Sequence, residues 1–141
     1  MKISDILRYK GSNVVTIELD ADVHEVLSQL AEHNVGALVV FQDDEVIGIV
    51  SERDIVRKLY ERGDAVLTAK VADIMTASVI SCASEDSLDK VASAMTELRI
   101  RHMPVIDNGH LAGIVTIGDV VLSRTRQLEQ DRAQLEQYIT G

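Results

Sequence analysis

The sequence is poor in positive charge, aromatic rings, cysteine and proline, and each shortage removes a class of function. Fourteen Lys and Arg stand against 23 Asp and Glu, for a formal charge of -9. A general nucleic-acid binder carries the opposite sign, and no basic run or stacking set of aromatics appears, so no nucleic-acid partner is expected. An acidic surface is equally unsuited to anionic lipid. No apolar run approaches the ~18 residues of a bilayer span, so no membrane role is expected either. Cys82 is the only cysteine, which rules out an internal disulfide. Within Val79-Ile80-Ser81-Cys82 it reads as a small apolar strand residue rather than a reactive thiol. No signal peptide precedes the fold, and a cytoplasmic protein is the expectation. His24, His33 and His110 have no helical i,i+4 partner or nearby cysteine set, so no metal is expected. No carboxylate pair or nucleophile with a base emerges, so the chain is not expected to be an enzyme.

What remains is a chain that is 46% apolar, mostly Val, Ile, Leu and Ala, which suits a strand-and-helix interior. One stretch organises it. Gly48-Ile49-Val50-Ser51-Glu52-Arg53-Asp54 recurs 65 residues later as Gly113-Ile114-Val115-Thr116-Ile117-Gly118-Asp119. In each copy a strand runs into a helix, and Ser or Thr with Asp three residues on opens that helix. A helix start has free N–H groups and a positive dipole end, both attractive to anions.

Around these corners, residues 14–59 align on 79–124 without a gap, with ten identities in 46 positions. Each copy reads β-α-β-β-α. The first begins with a lead-in helix over 2–8, broken by Gly11-Ser12-Asn13, and a strand over 14–17. Asp22 is the expected N-cap of a helix carrying Val23, Val26, Leu27, Leu30 and Ala31, with Glu25 completing a capping box. Asn34 ends it. Residues 36–41 form a strand buried on both faces, turned by Asp43-Asp44 into a strand over 46–50. The next helix carries Ile55, Val56, Leu59 and Tyr60 and stops at Gly63. Residues 64–70 are a connector, and Val71-Ala72-Asp73-Ile74-Met75-Thr76 echoes Ile3-Ser4-Asp5-Ile6-Leu7-Arg8. The second copy has a strand over 79–82, a cap at Ser87, and a helix carrying Leu88, Val91, Ala92, Met95 and Leu98. A strand over 102–106, the turn Asn108-Gly109 and a strand over 111–115 follow. The last helix begins at Thr116 and continues to about Tyr138 with one apolar stripe, Val121, Leu128, Leu135 and Ile139. The expected division is repeat 1 with its lead-in over 1–69, repeat 2 over 70–124, and a helical extension over 125–141.

The tandem repeat, the twin Gly-apolar-apolar-Ser/Thr-x-x-Asp motifs, the approach Asp73-Ile74-Met75-Thr76 and the run His102-Met103-Pro104-Val105 resemble the cystathionine-beta-synthase (CBS) domain pair, or Bateman module. The resemblance covers about residues 1–124 and is to the family's stand-alone members. It implies an α/β (α+β) fold of two β-α-β-β-α repeats packed about a pseudo-twofold axis. It implies two clefts for adenosyl ligands such as AMP, ADP or ATP, acting as regulatory ligand rather than required cofactor, and a homodimer. One cleft would use Asn13, Val14, Val15, Val35 and Gly36 with His102, Thr116, Gly118 and Asp119. The other would use Ser78, Val79, Ile80, Ile100 and Arg101 with Ser51, Arg53 and Asp54.

Residue chemistry agrees with this pattern. A carboxylate can accept both hydroxyls of a ribose, and Asp54 and Asp119 are placed to do so. Ser51 and Thr116 can donate to phosphate, and Arg53 offers a planar fork. Where the first motif has Arg53 the second has Gly118, so the clefts are chemically unequal. Two readings stay open. In one the module senses adenylate state and passes it to a regulated protein partner. In the other it is a ligand-independent dimerisation and docking scaffold, and Ser51, Asp54, Thr116 and Asp119 are helix caps.

Overall fold

A computed structural model describes residues 1–140. In chain order the elements are α1 (Ile3–Lys10), β1 (Thr16–Glu18), α2 (Val23–His33), β2 (Ala37–Gln42), β3 (Glu45–Ser51), α3 (Glu52–Arg62), α4 (Val71–Ile74), α5 (Leu88–Leu98), β4 (His102–Asp107), β5 (His110–Thr116) and α6 (Ile117–Thr140). They form two compact units, one of residues 13–80 with 108–111, the other of 1–12, 81–107 and 112–140. The units cut across the sequence repeats. The lead-in helix α1 lies with the second repeat, and α4, the second repeat's lead-in, lies with the first.

In the 13–80 unit, β1 pairs parallel with β2, and β2 pairs antiparallel with β3. Ala37 to Val40 are all buried, as a strand covered on both faces requires. Asp43 and Asp44 both take positive φ, 52° and 62°, the conformation a two-residue hairpin turn needs. Asp22 caps α2 by accepting from the Glu25 N–H at 2.9 Å, the first half of the expected capping box. Asn34 ends that helix in the left-handed region. The core joins Val23, Val26 and Leu30 of α2 to Leu38, Val40 and Val50 of the sheet and to Val71 and Ile74 of α4.

The other unit repeats the plan with β4 and β5. Its core gathers Ile3 and Ile6 of α1, Leu88, Val91 and Met95 of α5, and Met103, Val105 and Val115 of the hairpin. Ser87 caps α5 through the Lys90 N–H. Arg99 closes it with φ 55°, matching Asn34 at φ 51° at the same repeat position. Nothing about an arginine announces that conformation.

Several sequence expectations are corrected. The first strand starts at Thr16, not Val14, although the Val15 carbonyl already accepts from Val39 N–H at 3.2 Å. The expected strand over 79–82 is a single parallel bridge, Cys82 with Val105. That bridge keeps the repeat register, since Ile17 pairs with Val40 in the other unit. It does not extend back toward residue 79 because the bond equivalent to Val39 N–H to Val15 O would have to come from Pro104, which has no N–H. Beyond the bridge, Ser84 N–H and hydroxyl are given to Asp107. The 64–70 connector is largely a 3-10 turn, Gly63–Thr68, anchored by the fully buried Val66. The apolar residues of α3 divide between core and surface. Ile55 is buried, but Val56 is 64% and Leu59 44% exposed, and Tyr60 is open to solvent. The last helix, by contrast, ends at Thr140, close to the expected end near Tyr138, and its stripe residues Leu128, Leu135 and Ile139 are exposed.

Candidate functional site

The two motif corners fold alike because their residues impose the same hydrogen bonds. In the first, Ser51 is the N-cap of α3. Its N–H and hydroxyl donate to Asp54 Oδ2 at 2.9 and 3.0 Å, and Asp54 N–H donates back to Ser51 Oγ at 3.2 Å. In the second, Thr116 N–H donates to Asp119 Oδ2 at 2.9 Å and Asp119 N–H to Thr116 Oγ1 at 3.2 Å. These are reciprocal capping boxes built with Asp, so the cap reading of both motifs is realised. Each corner also ties back to the preceding strand. Glu52 N–H donates to the Gly36 carbonyl at 3.0 Å, and Ile117 N–H to the Arg101 carbonyl at 2.9 Å.

The motif glycines have a steric reason that sequence reasoning did not supply. A Cβ on Gly48 would lie 2.6 Å from Met75 Sδ and 3.1 Å from the Thr76 carbonyl oxygen. One on Gly113 would lie 2.7 Å from Leu7 Cδ2. Each glycine therefore lets a lead-in segment press onto the strand that ends at the corner. What those segments deliver differs. Thr76 pairs with Ile49 through two main-chain bonds, Thr76 N–H to Ile49 O at 2.8 Å and Ile49 N–H to Thr76 O at 3.0 Å. Its hydroxyl donates to Asp54 Oδ1 at 3.2 Å. In the other unit Lys10 Nζ makes the corresponding contacts, donating to the Ile114 carbonyl at 2.9 Å and to Asp119 Oδ2 at 2.7 Å. Burial alone would raise the pKa of Asp119, but the Lys10 ammonium and the Thr116 donors outweigh it and hold the carboxyl below its ordinary range. Lys10 and Thr76 were not among the expected site residues. Thr76 stood in a quoted motif, whereas Lys10 gave no signal beyond its place after the lead-in helix.

The remaining expected residues are distributed as follows. Within the 13–80 unit, Gly36, Ser51, Asp54 and Thr76 converge through the bonds above, and Ser78, Val79 and Ile80 continue directly from Thr76. Those three lie outside the sheet ladders, with Ser78 and Ile80 exposed. Asn13 is exposed and precedes β1, Val14 and Val15 are half-buried, and Val35 N–H closes on Leu30 O at 3.1 Å. Arg53 is exposed in the first turn of α3. Within the other unit, Arg101, Thr116 and Asp119 converge. Gly118 is exposed in the first turn of α6, His102 begins β4, and Ile100 N–H closes on Met95 O at 3.1 Å.

Other places in the fold are less suited to an anion. A depression of about 420 Å³ lined by Thr16, Glu18, Phe41, Gln42, Asp43 and Asp44 lies at the opposite end of the sheet from Ser51, and its three carboxylates repel phosphate. Cys82 is buried, and burial first, then the Asp86 and Asp107 carboxylates, push its thiol up to about 11, so it is not a nucleophile at neutral pH. Among the described residues no cluster of His, Cys, Asp and Glu could hold a metal ion. Among them, too, no helix is long and apolar enough to cross a membrane.

An α-β-β-α plan given twice, preceded by a strand in the first copy and a single bridge in the second, with a capped carboxylate corner opening the last helix of each, defines a tandem-repeat module of mixed helices and strands. The CBS domain family model matches residues 3–61 and again 71–124, and the chain belongs to that family as a CBS-domain pair. It is 35% identical over 99% of its length to the mitochondrial CBS domain-containing protein CBSX3 of Arabidopsis thaliana, spanning 72% of that protein. A crystal structure of a CBS-domain containing protein from Agrobacterium tumefaciens superposes with a TM-score of 0.86 at 41% identity, covering 88% of this chain and 99% of that one. A CBS domain protein from Pyrobaculum aerophilum complexed with AMP superposes at 0.79 with 29% identity, over 92% of this chain and 97% of that one. A CBS domain pair in complex with 5-methylthioadenosine and S-adenosyl-L-methionine superposes at 0.80 with 25% identity, over 90% of this chain and 98% of that one.

Proposed function

We propose that this chain is a cytoplasmic regulatory module that binds an adenosyl ligand, AMP, ADP or ATP, and responds by altering how it docks. The observation that carries this reading is the duplicated corner, a carboxylate at a helix start in each unit, in a chain whose solved relatives include complexes with AMP and with S-adenosyl-L-methionine. Asp54 and Asp119 accept the ribose hydroxyls. At Asp54 the diol replaces the Ser51 and Thr76 hydroxyl donors, which rotate freely and are then available to the ligand. Ser51, Arg53, Thr116 and the bare Gly118 N–H face phosphate. Main-chain groups of Asn13 to Val15 and of Ser78 to Ile80 read the adenine edge, with Val35, Gly36, Ile100, Arg101 and His102 completing the contacts. Differential affinity for ligands would then bias docking, because a ligand shifts an equilibrium only by what it gains in one state over the other.

A docking role is favoured separately by exposed apolar side chains on α3 (Val56, Leu59) and on α6 (Val121, Leu122, Leu128, Leu135). We assign them to a homodimer and to a regulated protein partner. In a ligand-independent scaffold, Asp54→Asn and Asp119→Asn leave docking unchanged; in a sensor they abolish its response to nucleotide. Calorimetric titration with AMP, ADP, ATP and S-adenosylmethionine tests the binding itself. At least one is expected to bind below the millimolar range, and binding of none overturns the reading.

A further inference from the structure

We propose that Lys10 is the cation that makes the Thr116 corner select phosphate-bearing adenosyl ligands, supplying from α1 the charge the second motif lacks at Gly118. This rests on the adenosyl-binding reading above and assigns a chemistry to one of its two corners. The first motif carries Glu52, Arg53 and Asp54 in the opening turn of α3. The second opens α6 with Ile117, Gly118 and Asp119, so its own turn offers a carboxylate and no cation. A lone carboxylate at that place repels phosphate and offsets the attraction of the helix start.

The fold brings the missing charge there by a chain of specific contacts. Gly113 lets Leu7 press onto β5. The Tyr9 ring lies 5.5 Å under the Arg126 guanidinium of α6, holding the end of α1. Gly11, at φ 90°, then stops the helix directly after Lys10. The ammonium is left between Asp119 Oδ2 and the Ile114 carbonyl, with the Lys10 and Asp119 side chains 28% and 23% exposed. An ammonium has three N–H donors. Two are committed to fixed acceptors, and among the described residues the third is left for an arriving anion. A purely structural role would not need the charge, because at the other corner a neutral hydroxyl on Thr76 bonds the equivalent carboxylate. Nor does the fold demand glycine at 118. A Cβ there would meet only Thr116 Oγ1, at an ordinary 3.6 Å. Gly118 is exposed in the same turn as Asp119, the carboxylate that Lys10 bonds.

The test uses the full chain in an Asp54→Asn background, so that the Thr116 corner dominates. AMP and adenosine are titrated by calorimetry into this protein and into versions also carrying Lys10→Gln or Lys10→Arg. Gln keeps donors for Asp119 and Ile114 but has no charge; Arg keeps the charge. Loss of one charge-assisted phosphate bond predicts that Lys10→Gln weakens AMP by about tenfold or more while adenosine changes by less than about twofold, and that Lys10→Arg holds AMP near its starting affinity. AMP and adenosine falling together, or neither changing, overturns the assignment and leaves the adenosyl reading standing. Binding of neither compound even to the unmodified chain overturns the assignment, and the adenosyl reading falls with it if ADP, ATP and S-adenosylmethionine also fail to bind.

Discussion

Lys10 donates to Asp119 across 2.7 Å, joining the end of α1 to the start of α6. The pair is partly buried and its lysine also holds a main-chain carbonyl of β5, so it is not an exposed ion pair of negligible worth. Lys10→Met should lower stability by about 1–2 kcal/mol, the cost of charge-assisted hydrogen bonds removed from a half-buried carboxylate and carbonyl. Urea unfolding followed by circular dichroism measures this as a lower midpoint with an unchanged slope.

The same pair gives a pH signature. Asp119 is held below its ordinary range in the folded chain, so on acidification the unfolded chain takes up the proton first. Its contribution is fully present above the ordinary carboxylate range and is lost as pH falls through the lowered folded value. The stability difference between the natural chain and Asp119→Asn should therefore be constant near neutrality and shrink below roughly pH 4. Urea midpoints of the two proteins across an acid series decide it, and a difference growing on acidification would contradict the assignment.

The two motif glycines should respond unequally to alanine. At Gly48 the added Cβ meets Met75 and also the Thr76 carbonyl, a main-chain atom fixed by its pairing with Ile49. At Gly113 its three nearest contacts are all atoms of the Leu7 side chain. Both substitutions overpack, with costs of about 1–3 kcal/mol, and Gly48→Ala should be the worse. Shortening Leu7 to Ala in Gly113→Ala should recover part of the overpacking loss. Thermal melts of the four proteins, counting Leu7→Ala alone, give the comparison.

These glycines mark where sequence reasoning stopped. The repeat, the order of the elements, the N-caps at Asp22, Ser51 and Ser87 and the turn at Asn108-Gly109 were legible, because each depends on residues close in sequence. The steric role of Gly48 and Gly113 was not, because it depends on Met75 and Leu7 docking from segments outside the motif. Lys10 was invisible for the same reason. Nothing local says that α1 packs with the second repeat rather than the first. The strand expected over 79–82 failed because its partner strand carries Pro104, which has no N–H for the bond that Val39 gives to Val15 in the first copy. The apolar pattern of α3 does not say which residues are core: Ile55 is buried, while Val56 and Leu59 face solvent in a single chain.

That exposure predicts assembly. Replacing Val56 or Leu128 with Glu places a charge on a face assigned to a second copy, where burial without a partner is costly. Either change should shift sedimentation-equilibrium mass toward the monomer while leaving the melting temperature of the monomeric fold within a few degrees. A natural chain that is already monomeric at high micromolar concentration would remove the homodimer.

The most direct measurement is calorimetric titration of AMP into the natural chain and into the Asp54→Asn, Asp119→Asn double variant, with circular dichroism confirming that both are folded. The adenosyl-sensing account predicts saturable binding below the millimolar range in the natural chain and an affinity at least about tenfold weaker in the variant. Equal affinity in the two proteins would contradict it.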